Sequence, residues 1–147
     1  MKPSKPHFHK QETPESCIPA CLRMVLSSLG FDVSEADLRH MCDCTPFGTD
    51  ALKAVDAARQ LGFAGTSKHN LSPAELEGLL REGHHPIVFV DLMPTDGVRE
   101  QHALVVVEMD TNFVTVLDPL RGDRVLPRQE FLRGWAWQRC LVLIIKS

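Results

Sequence analysis

The 147-residue chain carries 16 Lys and Arg against 19 Asp and Glu, a formal net charge of -3, and 44% of its residues are hydrophobic. A chain of this length buries about two-thirds of its unfolded surface, enough to fold without a disulfide or metal staple. The acidic balance excludes an electrostatic grip on nucleic acid or an anionic membrane, and the longest apolar runs, such as Cys140 to Ile145, are far too short to enter a bilayer as a span.

Residues 1–10 (MKPSKPHFHK) are basic, proline-broken and without the apolar middle region of a signal peptide. They read as a mobile lead-in to a single domain over residues 11–147. Five irregularly spaced cysteines in a chain without a secretion signal read as reduced thiols, which places the protein in the cytoplasm.

From Cys17 onward, Ile18, Cys21, Leu22, Val25 and Leu29 recur at helical spacing. Pro19 is tolerated in the first turn and Gly30 stops the helix. Ser34 with Asp37 caps a short helix near 35–41, and a further helix runs from Asp50 to a stop at Gly62. Ser72, Pro73 and Glu75 form a capping box with a first-turn proline for a helix ending before Gly83.

After residue 85 the pattern changes to short β-branched runs: PIVFVDL, HALVVVEM, FVTVLD and CLVLIIK. Turns are expected at Asp110–Asn112 and Arg121–Asp123, with a short helix in PRQEFLRG. Helices first and strands second, without alternation, predict an α+β fold in which a helical N-terminal half packs against a mostly antiparallel C-terminal sheet.

A single cysteine is ordinarily a small buried hydrophobe. Cys17 differs by position, because a thiol at a helix N-terminus faces unpaired backbone N–H groups and the positive end of the dipole, which favour the thiolate. Cys21, one turn deeper, reads as core. A reactive thiolate needs an imidazole, and His102 opens a strand from which it could reach Cys17. His102, Leu104 and Val106 share one strand face, and Val114, Val116 and Asp118 share one face of the next. A three-residue turn at Asp110–Asn112 pairs Leu104 with Asp118 and makes Asp118 the diagonal neighbour of His102. Asp118 would then accept the imidazole N–H and fix its tautomer. Gln11, six residues before Cys17, is placed to donate a side-chain N–H beside the Cys17 backbone N–H, forming an oxyanion hole; taken alone it reads as a surface residue.

Gln11-Glu-Thr-Pro-Glu-Ser-Cys17 followed by Ile-Pro-Ala-Cys-Leu-Arg-Met-Val-Leu, then His102-Ala-Leu-Val-Val-Val, then Val-Thr-Val-Leu-Asp118-Pro, resembles the bacteriocin-processing double-glycine peptidase family, a branch of papain-like cysteine peptidases. The resemblance covers residues 11–140. It implies a papain-like fold, peptide-bond hydrolysis without a cofactor, Cys17, His102, Asp118 and Gln11 in the roles just given, and a substrate with a Gly-Gly leader. It also implies an ATP-driven exporter, here a separate one, as partner. Two positions depart from the family pattern, which often has Asp before the nucleophile and Gly after it where this chain has Ser16 and Ile18.

The same acyl-enzyme intercepted by an amine would make an acyltransferase, and a catalytically silent leader-binding domain is the reading from another class. His40-Met41-Cys42-Asp43-Cys44 gathers soft ligands in an expected loop, but one residue between the cysteines is tighter than common structural zinc sites, so reduced loop thiols are expected. His84-His85 reads as a helix-end cap. Gly48-Thr49-Asp50 reads as a turn and helix cap, because it lacks the glycines and lysine of a phosphate loop. Trp135 and Trp137 are given strand parity and a place at a core edge.

Overall fold

The structure, a computed structural model, describes residues 5–147. Residues 1–4 of the expected lead-in lie outside this range, and residues 5–10 run without regular structure, with Pro6 buried.

Helix α1 (Cys17–Ser28) begins at Cys17, and Ile18, Cys21, Leu22 and Val25 are all buried. Pro19 fits because an amide in the first turn has no intrahelical acceptor to lose. Helices α2 (Glu35–Met41) and α3 (Ala51–Gln60) follow, capped as expected by Ser34, which accepts from Asp37 N–H, and by Asp50, which accepts from Leu52 N–H. Strand β1 (Ser67–Asn70) comes next, then α4 (Pro73–Arg81) with the Ser72/Glu75 capping box in place. The second half holds β2 (Ile87–Asp91), the single turn α5 (Met93–Asp96), β3 (Gln101–Met109), β4 (Phe113–Asp118), β5 (Gly122–Pro127), α6 (Arg128–Trp137) and β6 (Leu141–Ile144).

The strands form one antiparallel sheet in the order β1-β6-β2-β3-β4-β5. Its central strands β2 and β3 are apolar on both faces, which requires cover on both sides. Ile87, Ala103, Val105, Leu117 and Leu143 pack with α1, α2 and α3 on one face. Val88, Leu104, Val106, Val116 and Val142 pack with α4 and α6 on the other. Alternation along β3 thus divides consecutive residues between two cores. α6 approaches β2 so closely that a Cβ on Gly134 would lie 2.3 Å from the carbonyl oxygen of Asp91, which only glycine tolerates.

Three elements depart from the sequence reading. β1 is the polar segment SKHN; it joins an edge of the sheet only through pairing with β6. Residues 122–127 continue past the expected turn as β5, in which Leu126 alone is buried. Trp135 and Trp137 lie on α6 and not on a strand: Trp135 is fully buried and donates its indole N–H to Leu141 O at 3.1 Å, while Trp137 stays half exposed. Among the described residues, no helix is long and apolar enough to cross a membrane.

Candidate active site

The β3–β4 hairpin sets the geometry. Met109 pairs with Val114, leaving four residues in the turn where three were expected, and the ladder then shifts between Val106 and Glu108. The extra residue, Val107, is taken up there as a bulge. Beyond it Val105 pairs with Leu117. Continuing that register one step sets Asp118 opposite Leu104, the arrangement the sequence predicts at the site end. The bulge therefore cancels the error in turn length.

His102 and Asp118 meet. The imidazole Nε2 lies 2.7 Å from Asp118 Oδ1, with the histidine 7% and the aspartate 0% exposed. The Cys17 side chain is near enough to the same imidazole to interact with it electrostatically. With Nε2 committed to Asp118, Nδ1 is the nitrogen left for any other partner. Burial pulls the His102 pKa down, but the interactions with Asp118 and Cys17 outweigh it and hold the value at about 9. Burial raises Asp118, and the His102 hydrogen bond and charge, the Leu120 N–H and Arg124 overcome that to bring it to about 2. The pair is therefore an imidazolium and a carboxylate at neutral pH.

Asp118 ends β4 in a tight turn to Gly122, whose φ of 92° favours glycine. Its Oδ1 also accepts the Leu120 N–H at 2.9 Å. Its Oδ2 accepts from Arg124 Nη1 at 3.1 Å, and Arg124 is held in turn by Asp96 Oδ1 at 2.7 Å. Neither Arg124 nor Asp96 is visible in the sequence as a site residue. Arg124 lies just past the expected turn, in an edge strand with no apolar pattern, and Asp96 sits in a one-turn helix with no periodicity to announce it.

Asp118→Asn removes the charge that raises His102 and leaves the burial that lowers it. The imidazole pKa, followed by NMR titration, is expected to fall from about 9 by roughly one to three units. An unchanged titration would mean that the ion pair does not set the protonation of His102.

Cys17 is the first residue of α1, and Ser16, at the N-cap, makes no side-chain bond to the helix. The hydroxyl turns away to Thr13 and Glu35, so the first-turn N–H groups are left without a side-chain cap. These donors, with the helix dipole, are available to a thiolate or to an oxyanion. Cys21 is fully buried, and burial, then the charges of Cys17 and Asp118, push its thiol well up; it is core, as expected.

Gln11 is 7% exposed, not a surface residue. Its backbone N–H donates to Pro119 O at 2.7 Å, beside Asp118. The carboxamide Nε2 donates to Thr13 O at 2.9 Å and Pro14 O at 3.1 Å, and Oε1 is buried without a partner. The structure thus puts Gln11 behind the loop that leads into Cys17, with its N–H groups bound to that loop.

Cys17 and His102 open onto a cleft of about 520 Å³ whose walls include Ile18, Phe47 and Phe89. Phe47 is 99% exposed on a turn closed by reciprocal Thr45 and Gly48 backbone bonds. Glu15, Asp50 and Glu100 also line the cleft, and no Lys or Arg does among the described residues. The soft-ligand segment divides: His40 and Met41 lie on α2, Cys42 is buried with its thiol raised by burial to about 12, and Cys44 stays half-buried. Among the described residues, no group of three or more His, Cys, Asp or Glu is arranged to hold a metal ion. At the end of α4 the His84 backbone N–H closes the last turn on Leu79 O, while its imidazole faces Glu82.

Comparison with known proteins bears on the fold and the family. The chain is 33% identical over 119 residues to an uncharacterized protein of Methanothermobacter thermautotrophicus, covering 80% of this chain and 75% of that one. It is 30% identical over 138 residues to the transport/processing ATP-binding protein ComA of Streptococcus pneumoniae, covering 92% of this chain but only 18% of ComA. The peptidase domain of Streptococcus ComA superposes with a TM-score of 0.81 at 26% identity, over 98% of this chain and all of that domain. A double glycine motif protease from an AMS/PCAT transporter, solved with a leader peptide, has the same fold, with a TM-score of 0.81 at 23% identity over 99% of this chain and 94% of that one. Residues 5–147 match the Peptidase C39 family, and the chain belongs to that family.

Proposed function

We propose that the protein is a cytoplasmic cysteine peptidase that cleaves a leader peptide after a Gly-Gly pair. The observation that carries this reading is the imidazole of His102, hydrogen-bonded to Asp118 and sharing one cleft with Cys17 at a helix N-terminus. Family membership and the likeness to the ComA peptidase domain support it. An ATP-driven exporter that carries the same substrate is the partner in this proposal.

In the mechanism, Cys17 Sγ attacks the scissile carbonyl carbon and the π electrons move to oxygen. The Cys17 backbone N–H and the Gln11 carboxamide hold that oxyanion, Gln11 releasing one of its loop carbonyls as the charge develops. His102 gives its Nδ1 proton to the departing amine as the C–N bond breaks, leaving a thioester. Water, losing a proton to His102, attacks the thioester; the C–S bond breaks, releasing the peptide acid and restoring the Cys17 thiolate beside the imidazolium. Asp118 holds the imidazole orientation throughout.

The test is digestion of matched peptides with Gly-Gly, one glycine replaced, or both replaced, read by mass spectrometry. Cleavage is expected after the second glycine and is lost on replacement. Cleavage indifferent to both glycines would reject the leader specificity. In the same assay Gln11→Ala is expected to lower turnover about 10²-fold, the usual loss for one oxyanion donor; unchanged turnover would remove Gln11 from the mechanism.

A further inference from the structure

Residues 11–16 have no regular secondary structure, yet they join Gln11 to Cys17 and so fix the distance between the two proposed oxyanion donors. Apolar burial does little to hold this segment, since Glu12 and Pro14 are exposed and Thr13 and Glu15 half-buried. Hydrogen bonds do the holding, and three of them converge on one side chain.

That side chain is Glu35, the first residue of α2, which is 0% exposed. Its two oxygens accept the Glu12 backbone N–H at 3.0 and 3.1 Å, and Oε2 lies 3.1 Å from the Ser16 hydroxyl. Arg39, one turn along α2, pairs with Glu35 and also reaches Glu12 Oε1 at 3.0 Å. Ser16 Oγ in turn accepts the Thr13 N–H at 3.1 Å. The helix has no need of Glu35 as a cap, because Ser34 already accepts the Asp37 N–H. A carboxylate taken wholly out of water is costly unless it is paired and hydrogen-bonded, and here its partners belong largely to another segment.

Glu12 is the neighbour of Gln11, and Ser16 is the neighbour of Cys17. One carboxylate therefore grips the residue next to each donor, while Pro119 O holds the Gln11 backbone from the far side. We propose that Glu35 is a positioning residue of the oxyanion hole, setting the Gln11 carboxamide and the Cys17 N–H at their working separation. This rests on the peptidase reading above and adds a residue to it.

The test separates two reactions of the same thiol. Peptide cleavage develops an oxyanion, whereas alkylation of Cys17 by iodoacetamide is a displacement at saturated carbon and develops none. Loosening the loop should therefore slow the first reaction and spare the second. In Glu35→Ala, kcat is expected to fall about 10²-fold with KM changed little, the size of loss that small misplacements of catalytic groups produce. Glu35→Gln, which keeps the volume and one acceptor oxygen, is expected to lose roughly 10-fold. In both, the rate and pH profile of Cys17 alkylation should stay within about two-fold of wild type, since neither variant touches the Cys17–His102–Asp118 contacts.

Wild-type turnover in both variants would overturn the proposal, and so would alkylation falling in step with turnover, which would mean that Glu35 supports the whole site. A wild-type chain that labels normally but never cleaves peptides would overturn the peptidase reading together with this one. A wild-type chain that cleaves peptides, with both Glu35 variants cleaving at the same rate, would overturn this one alone.

Discussion

Cys17→Ser is expected to lower peptide turnover by a factor on the order of 10⁴ or more, while leaving the fold and peptide binding intact. The substitution exchanges sulfur for oxygen at the start of α1, where the side chain is half-buried and needs no repacking. What changes is the nucleophile. A hydroxyl ionises far less readily than a thiol, and His102, with a pKa of about 9, is already protonated at neutral pH and has no lone pair free to take the hydroxyl proton. Cys21 does not substitute for Cys17, because it is fully buried and its thiol is pushed well up by burial and by the nearby charges of Cys17 and Asp118. Appreciable turnover in Cys17→Ser, measured by peptide cleavage, would assign the chemistry to another residue.

His102→Ala is the second large effect, with a loss of roughly 10³- to 10⁴-fold in turnover expected, because it removes both the partner of the thiolate and the acid for the leaving amine. The fold should tolerate it. Asp118 keeps the Leu120 N–H and the Arg124 guanidinium, so its carboxylate is not left unpaired. The stability difference has a defined pH dependence. His102 has a folded pKa of about 9 against 6.5 for the free group, so its contribution is complete below about 6.5 and is lost as pH rises through about 9. Asp118, at about 2 against 3.8, contributes above about 3.8 and loses that as pH falls through about 2. Thermal unfolding should therefore separate wild type from His102→Ala most between about pH 4 and 6.5, and the gap should close above about pH 9. A gap that widens as pH rises above about 6.5 would contradict the ion pair.

The elements that position Cys17 and His102 were legible because each carries a local signal. The α1 periodicity, the Ser34, Asp50 and Ser72 caps, and the β-branched runs of β2, β3 and β4 all state their own conformation. The meeting of His102 with Asp118 was legible through strand parity, and it survives a wrong turn length only because Val107 bulges. β1 and β5 were not legible, since both lie at sheet edges with mostly exposed side chains, and pairing supplies what their sequences lack. Trp135 misled because a single buried aromatic fits either period; helix α6 runs on through it past Gly134.

The supporting polar groups were hidden for a different reason. Glu35 reads locally as an acidic residue in a helix first turn, with Arg39 at i+4 as an ordinary surface pair. Its actual partners, Glu12 and Ser16, lie 23 and 19 residues away in sequence. Arg124 likewise gains its meaning from Asp96, 28 residues distant. Such contacts are products of the fold, and one sequence offers no period or spacing that encodes them.

The central claim is that Cys17 and His102 form a reactive pair. It is tested most directly by the rate of iodoacetamide labelling at Cys17, located by mass spectrometry across mildly acidic to alkaline pH, in wild type and His102→Ala. The account predicts rapid labelling of wild-type Cys17 at mildly acidic to neutral pH, and much slower labelling in the variant. Slow labelling that follows a free-thiol titration and is identical in the two proteins would contradict it.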